Sequence, residues 1–324
     1  MAILETTDIL QEYIAVRNDF VIEDLKPFKR QALREYVKPF VGKLDTELAS
    51  PATGENAEIK NEARELLEET VACFSFYLGA PELALQISGS GISVAETTNY
   101  KKANTFEKNE FQRNLLRRAH TSLDALLLIL EDNASLFSSY TAELQDINKE
   151  LIVNSTQVFN QYYNIHNSRQ TYLALKPFIR RVEDQYLSSW LCSEFITELK
   201  QPQTNLNYKT AKLLLQKATV AFTVSKAVLE GLFILDQNGI HLKFDTLEYE
   251  KTATNTNLKI NDFLMRTSKQ QELAGEEYLR QVSNYLIANK DAFTQCNGSI
   301  ILEKDEAAST SVVQISNNKR ILAL

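Results

Sequence analysis

Glycine, proline and cysteine are all scarce in this chain, with nine, six and three copies in 324 residues. Sandwiches, barrels and nucleotide-binding α/β folds need glycine at their turns, so the shortage points to a helix-rich protein. Cys73, Cys192 and Cys296 are odd in number and widely spaced, which argues against a disulfide framework or a zinc site. They read instead as buried thiols in a reducing compartment. Histidine is as thin: His120, His166 and His241 fall far apart, without a metal-binding spacing such as His-Glu-x-x-His. No run of about 18 apolar residues exists to cross a membrane. Met1-Ala2-Ile3-Leu4-Glu5 lacks the basic and apolar regions of a secretory signal. Gly89-Ser90-Gly91 lacks the Gly-Lys-Ser/Thr ending of a phosphate loop, and Ser88-Gly89-Ser90-Gly91 lacks the strand–turn–helix setting of a serine nucleophile. No catalytic residue, cofactor, metal ligand or enzyme activity is therefore expected.

What is present is the composition of a globular protein with real cores, 44% hydrophobic and 24% charged. The length suits two domains of about 150 residues. The net charge of −7 is unevenly shared. Residues 1–150 hold 16 Lys+Arg against 25 Asp+Glu, net −9; residues 151–324 hold 19 against 17, net +2. An acidic first half is a poor grip for a phosphate backbone. Such a polar molecule suits different partners at its two ends or head-to-tail stacking, and a merely solvated surface would look the same.

The chain repeats itself. Leu25-Lys26-Pro27-Phe28 returns as Leu175-Lys176-Pro177-Phe178, and Arg30 and Tyr36 return as Arg180 and Tyr186, all at an offset of 150. Pro27 suits the first turn of a helix whose Phe28, Ala32, Tyr36 and Phe40 fall four apart, and Pro39 should kink or close it. A strong helix follows over about 58–79. Ile59, Ala63, Leu67, Val71 and Phe74 line one side, with Glu62, Glu65, Glu68 and Glu69 on the other. Alternation at Leu83, Leu85 and Ile87, then Ile92 and Val94, predicts a β-hairpin over 83–96. A long helix is expected over about 106–132, with Leu115, Ala119, Leu123, Leu126 and Leu130 at helical spacing. The second half replays this order. Residues 209–227 match 61–79 at an offset of 148, and a hairpin recurs at 232–244 around Asn238-Gly239. Leu279, Val282 and Leu286 stand where Leu123, Leu126 and Leu130 stood, at an offset of 156.

The expected fold is mainly α: two tandem copies of a helical bundle, residues 1–148 and 149–297, each with a small hairpin, plus a C-terminal arm over 298–324. That arm carries Val312, Val313, Ile315 and Ile321 and no core of its own. It is suited to strand addition on a neighbouring subunit or to packing on its own chain. Glu62, Glu65 and Glu69 are the best-spaced carboxylates for a metal, yet helical carboxylates without a histidine are ordinarily solvated. Arg113, Arg117, Arg118, Arg180 and Arg181 form small basic groups, read as solvated faces or ion-pair donors. His120, behind Arg117-Arg118, reads as solvated.

The pattern Leu-Lys-Pro-Phe-x-Arg-x-x-x-x-x-Tyr, the helix ending near Pro81 and the Ile-Ser-x-x-Gly-Ile hairpin together resemble the head–tail connector (neck adaptor) proteins of tailed bacteriophages and prophages. The run Asn167-Ser168-Arg169-Gln170-Thr171-Tyr172-Leu173-Ala174-Leu175-Lys176-Pro177 carries the resemblance furthest, which covers about residues 8–295 and is closest to a tandem version. It implies a structural virion protein that forms a ring, commonly of twelve copies, between the portal and tail or further neck proteins. DNA would pass through without sequence-specific binding, and no membrane is involved. It also implies a location in the virion neck, and in the host cytoplasm during assembly. Contacts between neighbours would fall on the hairpins and the arm, with Gly89, Gly91, Ile92, Asn238, Gly239, Ile240, Val313, Ile315 and Ile321 as candidates. The −9 of the first half would supply an acidic channel wall along which a duplex slides. The contrasting expectation is a cytoplasmic helical scaffold or regulatory module that binds a protein partner.

Overall fold

A computed structural model of the chain describes residues 3–83, 85–88, 91–94, 104–140, 150–230, 233–236, 239–242, 254–295 and 300–301. Side chains of 85–94, 233–242 and 254–261 are outside that description. The chain is mainly helical and divides into two compact units near residue 146.

In the first unit, Thr6 caps α1 (Thr7–Tyr13) by accepting a hydrogen bond from the Ile9 N–H. Next comes α2 (Ile22–Ala32), which runs through a π turn at Leu33–Val37 into α3 (Lys38–Val41). After α4 (Leu44–Glu47), the long α5 (Ala57–Gly79) forms the centre of the unit. A short antiparallel ladder joins β1 (Leu85–Ser88) to β2 (Gly91–Val94). The unit closes with α6 (Thr105–Asp132), started by a reciprocal cap between Asn104 and Glu107. Helices α5 and α6 run antiparallel, as the pairings Tyr77 with Gln112 and Glu69 with Ser122 require. Leu67, Val71, Phe74, Ala119, Leu123, Leu126 and Leu130 are buried along that pair.

The second unit repeats the order. Ser155 caps α7 (Thr156–Tyr162), and α8 (Arg169–Val182) runs into a π turn at Glu183–Leu187. Then follow α9 (Ser193–Lys200), the central α10 (Leu206–Glu230), a ladder of β3 (Phe233–Asp236) with β4 (Gly239–Leu242), and α11 (Thr254–Ala288). One core packs Leu187, Phe195, Leu199, Leu215, Val282 and Phe293; a second packs Val153, Phe159, Tyr172, Ile179 and Val224.

Three local expectations are corrected. Pro27 and Pro177 are not in first turns: they sit inside α2 and α8. Both prolines are exposed, and each ring removes one N–H from the hydrogen-bond ladder of its helix. Pro39 does not end its helix; it lies in the first turn of α3, and the chain turns at Gly42 with φ +62°. A side chain at Gly42 would be strained in that conformation and its Cβ would lie 3.0 Å from the Ser139 carbonyl oxygen. Third, Cys192 is disulfide-bonded rather than a thiol. Wide sequence spacing is no bar once the chain returns: Ile301 pairs antiparallel with Leu191, and the Cys192 N–H donates to the Ile300 carbonyl at 2.9 Å. Beyond Ile301 the arm, like residues 298–299 before it, lies outside the described residues.

Candidate interaction surfaces

The two ladders hold four of the residues singled out from sequence. Gly91 and Ile92 open β2, opposite Ser88 and Ile87; Gly239 and Ile240 open β4, opposite Asp236 and Leu235. The registers coincide at the offset of 148. Gly89, Asn238, Val313, Ile315 and Ile321 lie outside the described residues. Among the described residues each sheet has only two strands, β1 with β2 and β3 with β4.

The carboxylates of α5 divide. Glu62 and Glu65 are exposed as expected, whereas Glu68 is 3% exposed and turned inward. Tyr13 donates its phenol proton to Glu68 at 3.1 Å, and the Arg64 guanidinium lies 2.7 Å from the other carboxylate oxygen. Burial, and then the negative charge of Glu68, push the Tyr13 phenol well above its ordinary value. Glu69 accepts from Arg118 at 2.7 Å and from the Ser122 hydroxyl at 2.7 Å. It ties α5 to α6 and does not join Glu62 and Glu65. Among the described residues no three His, Cys, Asp or Glu side chains are grouped to hold a metal ion. His120 is exposed, with its ring edge-on to Phe74 at 5.2 Å between centroids. Arg113, Arg118, Arg180 and Arg181 each serve an ion pair, with Glu110, Glu69, Glu150 and Glu230 respectively.

A model for a family of unknown function, DUF6712, matches the chain twice, over residues 25–148 and 166–304. The chain belongs to the DUF6712 family. Neither a curated protein nor a solved structure matches it. The first match begins at Leu25, the opening residue of the repeated motif, so the DUF6712 module is present in tandem.

Common to both DUF6712 modules is a set of contacts that the two helix offsets predict from one another. The π turn carries Tyr36 in one and Tyr186 in the other. Each stacks on a phenylalanine of the central helix, Phe74 at 4.5 Å and Phe222 at 4.3 Å. Gln112 donates to the Tyr77 carbonyl, and at the matching place Ser268 donates to the Ser225 carbonyl. Asn133 and Asn289 each fold back on the carbonyl four residues earlier, and each is followed by a 3₁₀ turn and a buried phenylalanine, Phe137 or Phe293.

Each module also has a groove beside its motif helix. The first, about 330 Å³, is lined by Leu4, Ile22, Leu25, Lys26 and Lys29 among others. The second, about 450 Å³, is lined by Leu151, Leu173, Lys176, Pro177, Arg180 and Arg181 with Asp184. Lys29 escaped sequence reasoning. Its half-buried ammonium donates to the Ile3 and Leu4 carbonyls at 2.8 and 3.2 Å, and burial draws its amine below the ordinary value. It pins the N-terminal segment to α2, a role with no counterpart at Ile179.

Not every contact is shared between the DUF6712 modules. Where the first has Glu69 bonded to Arg118 and Ser122, the second has Lys217 over the Tyr278 ring at 5.8 Å. Both partners changed together, so the helix pair stays tied by a different interaction.

Proposed function

We propose that this protein is a structural virion subunit, a head–tail connector that assembles as a ring of identical copies between the portal and the tail. The observation that carries the reading is where the repeated Leu-Lys-Pro-Phe-x-Arg-x-x-x-x-x-Tyr motif falls. In both units it leads into the π turn and ends on the tyrosine stacked against the central helix. The motif by which the chain resembles connectors is thus spent on holding a rigid helical unit. A ring subunit needs such rigidity, together with surfaces that engage neighbours. The outer edges of the two-stranded ladders would serve strand addition between subunits, with Gly91, Ile92, Gly239 and Ile240 at the contact. The net −9 of residues 1–150 favours a channel wall that a duplex slides along without gripping. No helix among the described residues is long and apolar enough to cross a membrane.

The test is sedimentation of the purified chain with the portal oligomer encoded in the same genome. Connector function predicts that the chain moves into the portal peak in a fixed ratio. A chain that stays in its own slow peak, portal or no portal, speaks for a helical scaffold with some other protein partner.

A further inference from the structure

Duplication supplies a comparison inside one chain: the same face of the same helix occurs twice, in different chemistry. On α5 the solvent face carries Glu58, Glu62 and Glu65, one and then two turns apart, with Glu55 just ahead of the helix; all four are exposed. At the offset of 148 the corresponding residues of the second unit are Gln203, Leu206, Thr210 and Leu213. Leu206 is 75% exposed and Leu213 43% exposed. Between them the half-buried Thr210 turns its hydroxyl back onto the Leu206 carbonyl at 3.0 Å instead of offering it to solvent. So α10 shows water an apolar stripe where its sister shows carboxylates. Lys209 stands exposed beside the stripe; Lys217, one turn beyond Leu213, lies over the Tyr278 ring, and the half-buried Lys212 donates to the Gln201 carbonyl at 3.4 Å. A lone exposed leucine needs no explanation. Two leucines a helical heptad apart, replacing two glutamates on an otherwise duplicated element, do.

We infer that this stripe of α10 is a docking face for a second copy of the chain, and that its occupant is the acidic face of α5 in that copy. Complementarity selects the pairing. Glutamates meet the exposed Lys209, their methylene stems cover Leu206 and Leu213, and the contact joins matching faces of sister units. The two alternatives are disfavoured by the same residues: α5 against α5 opposes glutamates, and α10 against α10 opposes lysines. Each copy therefore has one face of each kind and associates head to tail, the arrangement that yields a ring where the rotation closes. The inference rests on the ring reading above and names its contact. It also takes Glu55, Glu58, Glu62 and Glu65 away from the channel wall.

Two full-length variants test it by sedimentation velocity over a range of concentrations at low salt, with circular dichroism confirming the fold of each. One carries Glu58→Lys, Glu62→Lys and Glu65→Lys; the other carries Leu206→Glu and Leu213→Glu. Wild type should associate as concentration rises, and less so once added salt shortens the screening length to a few ångströms. Each variant should raise the midpoint concentration by about tenfold or more. Mixing the two should restore association, because the first supplies an intact α10 face and the second an intact α5 face. The inference is overturned if wild type stays monomeric throughout, if either variant associates as wild type does, or if the mixture stays apart. An oligomer that forms through other faces, or a chain that joins the portal without associating alone, would sink this contact and leave the connector reading standing.

Discussion

Gly275 shows how little room separates the last helix of the second unit from the central one. A Cβ there would lie 2.8 Å from the Phe222 ring, which Tyr186 holds from another side by stacking. Gly275→Ala gains up to about 1 kcal/mol of helix propensity but overpacks a ring that cannot turn away, at about 1–3 kcal/mol. The net expectation is a lower melting temperature, measurable by calorimetry. Glu183 is the other telling residue. It is 4% exposed, accepts from the Ile152 N–H at 2.6 Å and pairs with Lys200 at 2.8 Å. Burial raises its carboxyl above the ordinary value, with Lys200 opposing. A raised carboxylate favours the folded state most when protonated, so this stabilisation is full below the unfolded value and is lost as pH rises through the folded one. Comparing melting curves of wild type and Glu183→Gln across pH should show wild type best placed at the acid end, its relative stability declining toward neutral. Glu183→Ala should lose about 1–3 kcal/mol at every pH, because the buried Ile152 N–H is then orphaned. At this scale the sequence was half legible. Glu62 and Glu65 face water as their spacing implied. Glu68 and Glu69 turn inward because Tyr13 and Arg118 reach them from helices distant in sequence, which no local period reveals.

Among the elements, the π turns are what the helical pattern concealed. Reading Phe28, Ala32, Tyr36 and Phe40 as one stripe assumed an unbroken α-helix, but the buried positions are Leu25, Ala32, Val37 and Val41. The step of five from Ala32 to Val37, matched by Val182 to Leu187, is the spacing of a π turn, and the apolar Tyr36 and Phe40 at steps of four masked it. Deleting exposed Gln185 should collapse that turn to an α turn. Leu187 and Leu191 would then rotate off the core they share with Phe195 and Leu215. We expect a loss well above the roughly 0.5 kcal/mol typical of surface changes, whereas Gln185→Ala should be nearly silent; urea titration of both variants decides it. The long helices were legible because their periods are strong: 58–79 was expected against Ala57–Gly79, and 106–132 against Thr105–Asp132. In the second unit the matching helix, α11, runs from Thr254 to Ala288. Its 35 residues exceed the 28 of its sister, and the extra turns take up most of the change in offset from 148 to 156.

For the molecule as a whole, two occurrences of the DUF6712 module in one chain are the fact from which the rest follows. Duplication was readable at once from Leu25-Lys26-Pro27-Phe28 and its echo, since identical residues at one offset need no folding to be seen. The surfaces were harder. Leu206 and Leu213 look like ordinary core positions in a helical pattern, and only their exposure in the folded chain sets them apart from Leu215 beside them. Part of the charge split between halves falls on the two central helices, where Glu58, Glu62 and Glu65 of α5 correspond to Leu206, Thr210 and Leu213 of α10. Negative-stain imaging of the chain mixed with a portal oligomer from the same genome is the most direct test of the proposed connector role. It predicts rotational averages with a closed ring of discrete subunits coaxial with the portal. Portal oligomers bearing no added ring, or bearing scattered single copies, would contradict it.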